Sequence, residues 1–329
     1  MQKRDTLDHH MATLDHMDRK PHTGAIAPHH GHEPAALVGQ AAPVGRAAPV
    51  GHPEAIVRPV ASSRRIRVER VAPRPELAHF VDYFWIVRWE TSEPYEQQVV
   101  PQPRVHIAAE AGRLLVHGLN REPFVRRLVG RGHTIGAAFR AGGFRPMLLA
   151  SARAGTGTCT GVGSLSGRVV PASEVLGFDD AAVASAIAAT EDSADMVAVF
   201  EDALLGCDAR RDPLAERLDE LVGYAERTRS LTRAEQIADV AGVSMRTLQR
   251  QFTEVIGIGP KWVIQRFRLL DVAAAIVGDD ASATDADAAI DWADLAVTLG
   301  FSDQSHLIRV FTSVVGTPPA RYAGDPGTR

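Results

Sequence analysis

Two short stretches of this chain place arginine, glutamine and serine where they can read the edge of a base pair. In MRTLQRQF, residues 245–252, Arg246, Gln249 and Arg250 recur at spacings of three and four and so share one face of a helix, with Thr247 beside them. In DQSHLIRVF, residues 303–311, Gln304, Ser305 and Arg309 do the same, with His306 next in line. Arginine matches the O6 and N7 acceptors of guanine, and glutamine matches N6 and N7 of adenine. A good bidentate pair of either kind discriminates by roughly 1–3 kcal/mol. Such chemistry makes and breaks no bonds; it requires only that the side chains be held still.

The residues around both stretches supply that support, and they do so twice. IADVAGVSMRTLQRQFTEVIGIGP, 237–260, has a counterpart in LAVTLGFSDQSHLIRVFTSVVGTPP, 295–319. In the first copy Thr232 and Glu235 form an expected capping box, and Ile237, Ala238 and Ala241 give the apolar face of a short helix. Gly242 stops that helix, and Ser244 caps a second whose Leu248, Phe252 and Val255 recur at i, i+4 and i+7. The second copy follows the same order. Asp291 caps, Leu295, Ala296 and Leu299 face inward, Gly300 stops, Ser302 caps again, and Leu307, Phe311 and Val314 take the core positions. Gly316 with Pro318 and Pro319 closes the second unit as Gly257 and Pro260 close the first. Two helices joined by a glycine-containing turn describe a helix-turn-helix. Between the units, KWVIQRFRLLDVAAAIV, 261–277, predicts one continuous helix that acts as a bar. Two reading helices on one bar can enter major-groove segments ~34 Å apart, with Lys261, Arg266 and Arg268 beside phosphates.

The run Gly300, Phe301, Ser302, Asp303, Gln304, Ser305, His306 and Leu307, followed by Arg309, Phe311, Gly316, Pro318 and Tyr322, resembles the signature of the AraC/XylS family of bacterial transcription regulators. The resemblance covers about the last hundred residues and implies binding to double-stranded promoter DNA. The base-reading positions it implies are Arg246, Thr247, Gln249, Arg250, Gln304, Ser305, His306 and Arg309. Further partners it implies are a small-molecule effector, a second copy of the chain and, for an activator, RNA polymerase. From about Arg74 to Met147, VDYFWIVRW, VVPQPRVHI and IGAAFRAGGFRPM resemble the poorly characterised domain often placed ahead of such a unit.

The fold class expected is α+β: a mostly β N-terminal domain with following helices, then an all-α double helix-turn-helix domain. Residues 1–60, rich in His, Pro, Ala and Gly, bury too little apolar surface to offset chain entropy, and a disordered tail is expected there. Its histidines His9, His10, His16, His22, His29, His30 and His32 read as solvated rather than as a metal site. Residues 64–205 are the expected sensing or dimerising domain. FVDYFWIVRW, RVHIAAE, RLLVHG and HTIGAAF read as strands, and EAGR at 110–113 reads as a hairpin turn. Phe80, Phe84 and Trp85 read as core, and His106 as a structural residue. Residues 206–228 form the connector, with Asp212 as N-cap and Pro213 in the first turn. The DNA-binding domain is placed at 229–324, and 325–329 at a flexible end.

The remaining features argue against other classes. The 329 residues carry a net charge of −4 and only two cysteines, Cys159 and Cys207, in no metal or redox spacing. A cytoplasmic setting without membrane spans is expected. TGTCTGVGSLSGRVV, 156–170, is rich in glycine but lacks the phosphate-loop spacing, with Arg168 where the lysine would stand. No enzyme, cofactor or metal is therefore expected. Within 225–324 ten basic residues face twelve acidic ones, a net −2, much of it from the join GDDASATDADAA at 278–289. A non-specific hold on DNA should thus be modest. A non-enzymatic protein-binding scaffold built on the same helices is the competing reading.

Overall fold

The computed structural model describes residues 62, 65–157, 161–278 and 291–323. The histidine-rich tail, Cys159, the acidic residues of 279–289 and the end at 325–329 lie outside these residues. The front half is a six-stranded antiparallel sheet in the order β1-β2-β5-β3-β4-β6, formed by β1 (Ile66–Val71), β2 (Val81–Val99), β3 (His106–Glu110), β4 (Arg113–His117), β5 (Phe124–Phe139) and β6 (Val169–Pro171). The EAGR segment is the hairpin expected: Ala111 and Gly112 take φ 50 and 77, the pair of positive values that a tight two-residue turn requires.

Strand alternation sends Phe84, Ile86, Ile107, Leu114, Val116, Ile135, Ala137 and Phe139 to one face, where all are buried. Helices close over that face: α1 (Arg145–Ala154), the short α2 (Ala172–Leu176), α3 (Asp180–Ala188) and α4 (Ser193–Leu205), with a 3-10 turn at Val162–Leu165. Phe200 of α4 meets Phe84 at a ring distance of 5.6 Å, and Phe144 meets Phe139 edge-on at 5.0 Å.

Trp85 departs from expectation. Its neighbour Phe84 takes the core position, so the period of two turns the indole to the outer face, where it is only half-buried. There it lies over Gly136, whose added Cβ would come within 2.2 Å of the ring. The indole N–H donates to His106 Nδ1 at 3.3 Å. Burial lowers His106 to about 3, so its ring is neutral and free to accept, which is the structural role expected of it.

The connector is α5 (Pro213–Arg227), whose N-terminus is capped by Asp212 accepting from the N–H groups of Leu214 and Ala215. The rear half holds α6 (Ala234–Ala241), α7 (Met245–Gln251) with a π-type turn at Phe252–Ile256, α8 (Pro260–Gly278), α9 (Trp292–Thr298), α10 (Gln304–Val315) and α11 (Pro319–Ala323). One buried apolar cluster runs from Leu77 in the front half to Tyr322 in the rear. Among the described residues no helix is long and apolar enough to cross a membrane.

Candidate nucleic-acid interface

Each helix-turn-helix is assembled by its inward residues. Ile237, Leu248, Phe252 and Val255 of the first unit are each at 0% exposure, as are Ala296, Leu307 and Phe311 of the second. Gly242 ends α6 at φ 65 and Gly300 follows α9 at φ 77, so both turns use the left-handed backbone that only glycine adopts without strain. Ser244 accepts the N–H of Thr247 at 3.2 Å and so caps α7 as expected. Asp291 caps α9 through Ala293 and Asp294.

Two caps differ from the expected ones. At α6 the helix begins one residue later, with Arg233 at the N-cap. Gln236 rather than Glu235 reaches back, its Oε1 accepting from the N–H groups of Thr232 at 3.0 Å and Arg233 at 2.9 Å. At α10 the cap is Asp303, not Ser302. The carboxylate accepts the His306 N–H at 2.8 Å and complements the positive helix end, a stronger arrangement than a hydroxyl offers. That bond lowers the Asp303 carboxyl below its usual range.

The expected reading residues divide by what they touch. Arg246, Gln249, Arg250, Gln304, Ser305 and Arg309 are exposed. Thr247 is half-buried, and its hydroxyl lies 3.0 Å from Ser244 Oγ. His306 is drawn back onto its own turn: its Nδ1 lies 3.0 Å from Ser302 Oγ and its ring meets Phe301 edge-on at 5.6 Å.

The bar is one helix, α8, of 19 residues, or about 28 Å in length. Lys261 at its start is exposed, but Arg266 and Arg268 do not stand beside solvent phosphates. They are 3% and 1% exposed. Arg268 donates to the carbonyls of Ala225 and Thr228, 2.7 and 3.0 Å away, and pairs with the buried Asp271. It therefore ties the end of α5 to the bar. Arg266 donates to the carbonyl of Arg121 at 3.0 Å and sits 4.5 Å from the Trp262 ring. Its Nε and Nη1 find no hydrogen-bond partner among the described residues, and burial lowers it to about 10, still protonated at neutral pH. Both guanidiniums point inward because the bar packs on α5, α6 and α11, which leaves little of its circumference free.

Sequence reasoning missed the contacts that join the front half to the reading units. Ser166 Oγ donates to the carbonyl of Gly257 at 3.1 Å, and Gln98 Nε2 to that of Val315 at 3.1 Å. Arg145 pairs with Asp212, the cap of α5, and with Glu254 at 3.3 Å, just beyond α7. None of these has a local sequence signal, since each joins positions 67 to 217 residues apart.

Residues 237–324 match the family model described as "Helix-turn-helix domain", and residues 69–160 match "Domain of unknown function (DUF6597)". No curated protein matches the sequence. Among solved structures, ToxT from Vibrio cholerae O395 is 9% identical over 79% of this chain and 96% of that chain, with a TM-score of 0.34. Unsaturated fatty acid bound wild-type ToxT from Vibrio cholerae strain SCE256 is 11% identical over 78% of this chain and 94% of that chain, with a TM-score of 0.32. That overlap carries neither a ligand nor a mechanism to this chain. With its paired units, glycine turns and exposed polar faces, the C-terminal region is a helix-turn-helix domain of the AraC type, the DNA-binding part of a transcription regulator, preceded by a domain of unknown function.

Proposed function

We propose that this regulator reads two short promoter elements, one with each unit, and that the front domain couples a small-molecule signal to operator occupancy. The observation that carries the reading is the pairing of two similarly packed turns with two different exposed faces. Arg246, Gln249 and Arg250 serve the first element, and Gln304, Ser305 and Arg309 the second. His306 and Thr247 have the supporting task of fixing the turns, because their polar atoms already engage Ser302 and Ser244. Lys261 contributes a phosphate contact at the start of the bar. Coupling from the front domain has a physical route in the shared buried cluster.

Selection of bound fragments from random DNA by the full chain tests the reading. The expected product is a pair of elements about one helical turn apart. No enrichment would favour the protein-binding scaffold. Repeating the binding with candidate metabolites tests the coupling, and an affinity that no metabolite alters argues against it.

A further inference from the structure

The two helix-turn-helix units end in equivalent turns, at Gly257 with φ 92 and at Gly316 with φ 79, each five residues after the buried phenylalanine of its reading helix. The front domain holds both. Ser166, just after the 3-10 turn, donates to Gly257 O, and Gln98, at the end of β2, donates to Val315 O beside Gly316. Carbonyls in the last turn of a helix lack a partner within the helix, so these donors satisfy acceptors that would otherwise need water. Packing reinforces the first grip. A Cβ on Gly257 would lie 2.9 Å from Leu119 Cδ1 and 3.2 Å from Val162 Cγ1, and one on Gly163 would lie 3.3 Å from Thr253 O. Between the two grips the Arg121 carbonyl receives Arg266 from the middle of the bar. The front domain thus touches the first unit, the bar and the second unit in turn.

These contacts leave the reading faces clear. Arg246, Gln249, Arg250, Gln304 and Arg309 all remain exposed, so the front domain does not shield them. We infer that the front domain is a brace that sets the relative placement of the two reading helices, with Ser166 and Gln98 as positioning residues that determine the spacing of the DNA elements accepted. The inference about DNA rests on the reading given above; the inference about placement does not.

Two measurements on the full chain separate them. In the first, nitroxide labels at Asp239→Cys and Val297→Cys, two exposed positions away from the reading faces, report the distance between the units in a chain with Cys159→Ser and Cys207→Ser. Adding Gln98→Ala and Ser166→Ala should widen the distance distribution while the melting midpoint shows the fold intact. In the second, binding is compared between a selected site and the same site with about 5 bp inserted between its elements, which turns one element to the opposite face of the duplex. The unsubstituted chain should lose about tenfold or more. The double variant should lose about twofold or less, since two net hydrogen bonds at roughly fivefold each in an equilibrium are enough to offset a tenfold penalty. An unchanged distance distribution overturns the brace whatever the DNA result. An unchanged spacing penalty overturns its role in specificity. If the unsubstituted chain selects no DNA at all, the promoter reading falls and the distance measurement still judges the brace.

Discussion

The two helix-turn-helix units solve one packing problem with different outer residues. Leu248 and Phe252 in the first and Leu307 and Phe311 in the second are equally inaccessible, and the turns between helices both depend on a left-handed glycine. The reading helices nonetheless differ. The first is capped by a serine hydroxyl and loosens into a π-type turn at Phe252–Ile256, whereas the second is capped by a carboxylate and runs unbroken from Gln304 to Val315. Interior positions are constrained by volume, since a missing or added methylene is felt at once. Outward positions are constrained only by what they meet, and there the units diverge.

The comparison breaks most visibly in stability. Phe252→Ala and Phe311→Ala should each cost about 3–5 kcal/mol by leaving a cavity, read by thermal or denaturant unfolding, and should weaken binding to all DNA alike. A much smaller loss in one unit would show that the two cores are not equivalent. Arg268→Ala should cost less, about 2–4 kcal/mol, because it strips two carbonyls of their donor and leaves the buried Asp271 with Arg229 as its remaining guanidinium neighbour. A next, smaller effect separates the faces: Arg250→Ala and Arg309→Ala should each lose roughly 1–3 kcal/mol of binding and relax preference at different elements, with melting unchanged. Footprints that survive both changes would unseat the assigned faces.

The caps supply a finer contrast. Ser244→Ala should cost about 1 kcal/mol with no dependence on pH. Asp303 behaves differently, because its folded carboxyl titrates below the ordinary value. Its contribution is complete above the ordinary carboxylate range and fades as pH falls through the lower, folded value. Unfolding of the parent and of Asp303→Asn across acid pH should therefore converge. Smallest of all, Lys261→Ala should reduce the slope of log affinity against log salt by about 1, while Arg266→Gln should leave that slope alone.

The rear unit was largely legible because its signals are local. Gly242, Ser244, Asp291 and Gly316 each mark a boundary within a few residues of themselves, and the 3.6-residue period links them. The two displaced caps show the limit of such signals, since Gln236 and Asp303 compete with neighbours equally plausible by type. Arg266 and Arg268 were misplaced for a different reason. Their partners are the carbonyls of Arg121, Ala225 and Thr228, which leave no trace in side-chain type. In the front half the EAGR hairpin could be read from four residues, but the sheet order β1-β2-β5-β3-β4-β6 depends on pairings across long stretches of chain. The outward turn of Trp85 likewise follows from which neighbour wins the core.

At Gly163 an added Cβ would lie 3.3 Å from the Thr253 carbonyl oxygen, a contact that the first unit could relieve only by giving a few tenths of an ångström. A single methyl there would act as a shim, tilting the first unit against its support without altering any group that faces a base. On the proposed reading, an alanine at Gly163 would therefore change the placement of the first unit while leaving Arg246, Gln249 and Arg250 as they are.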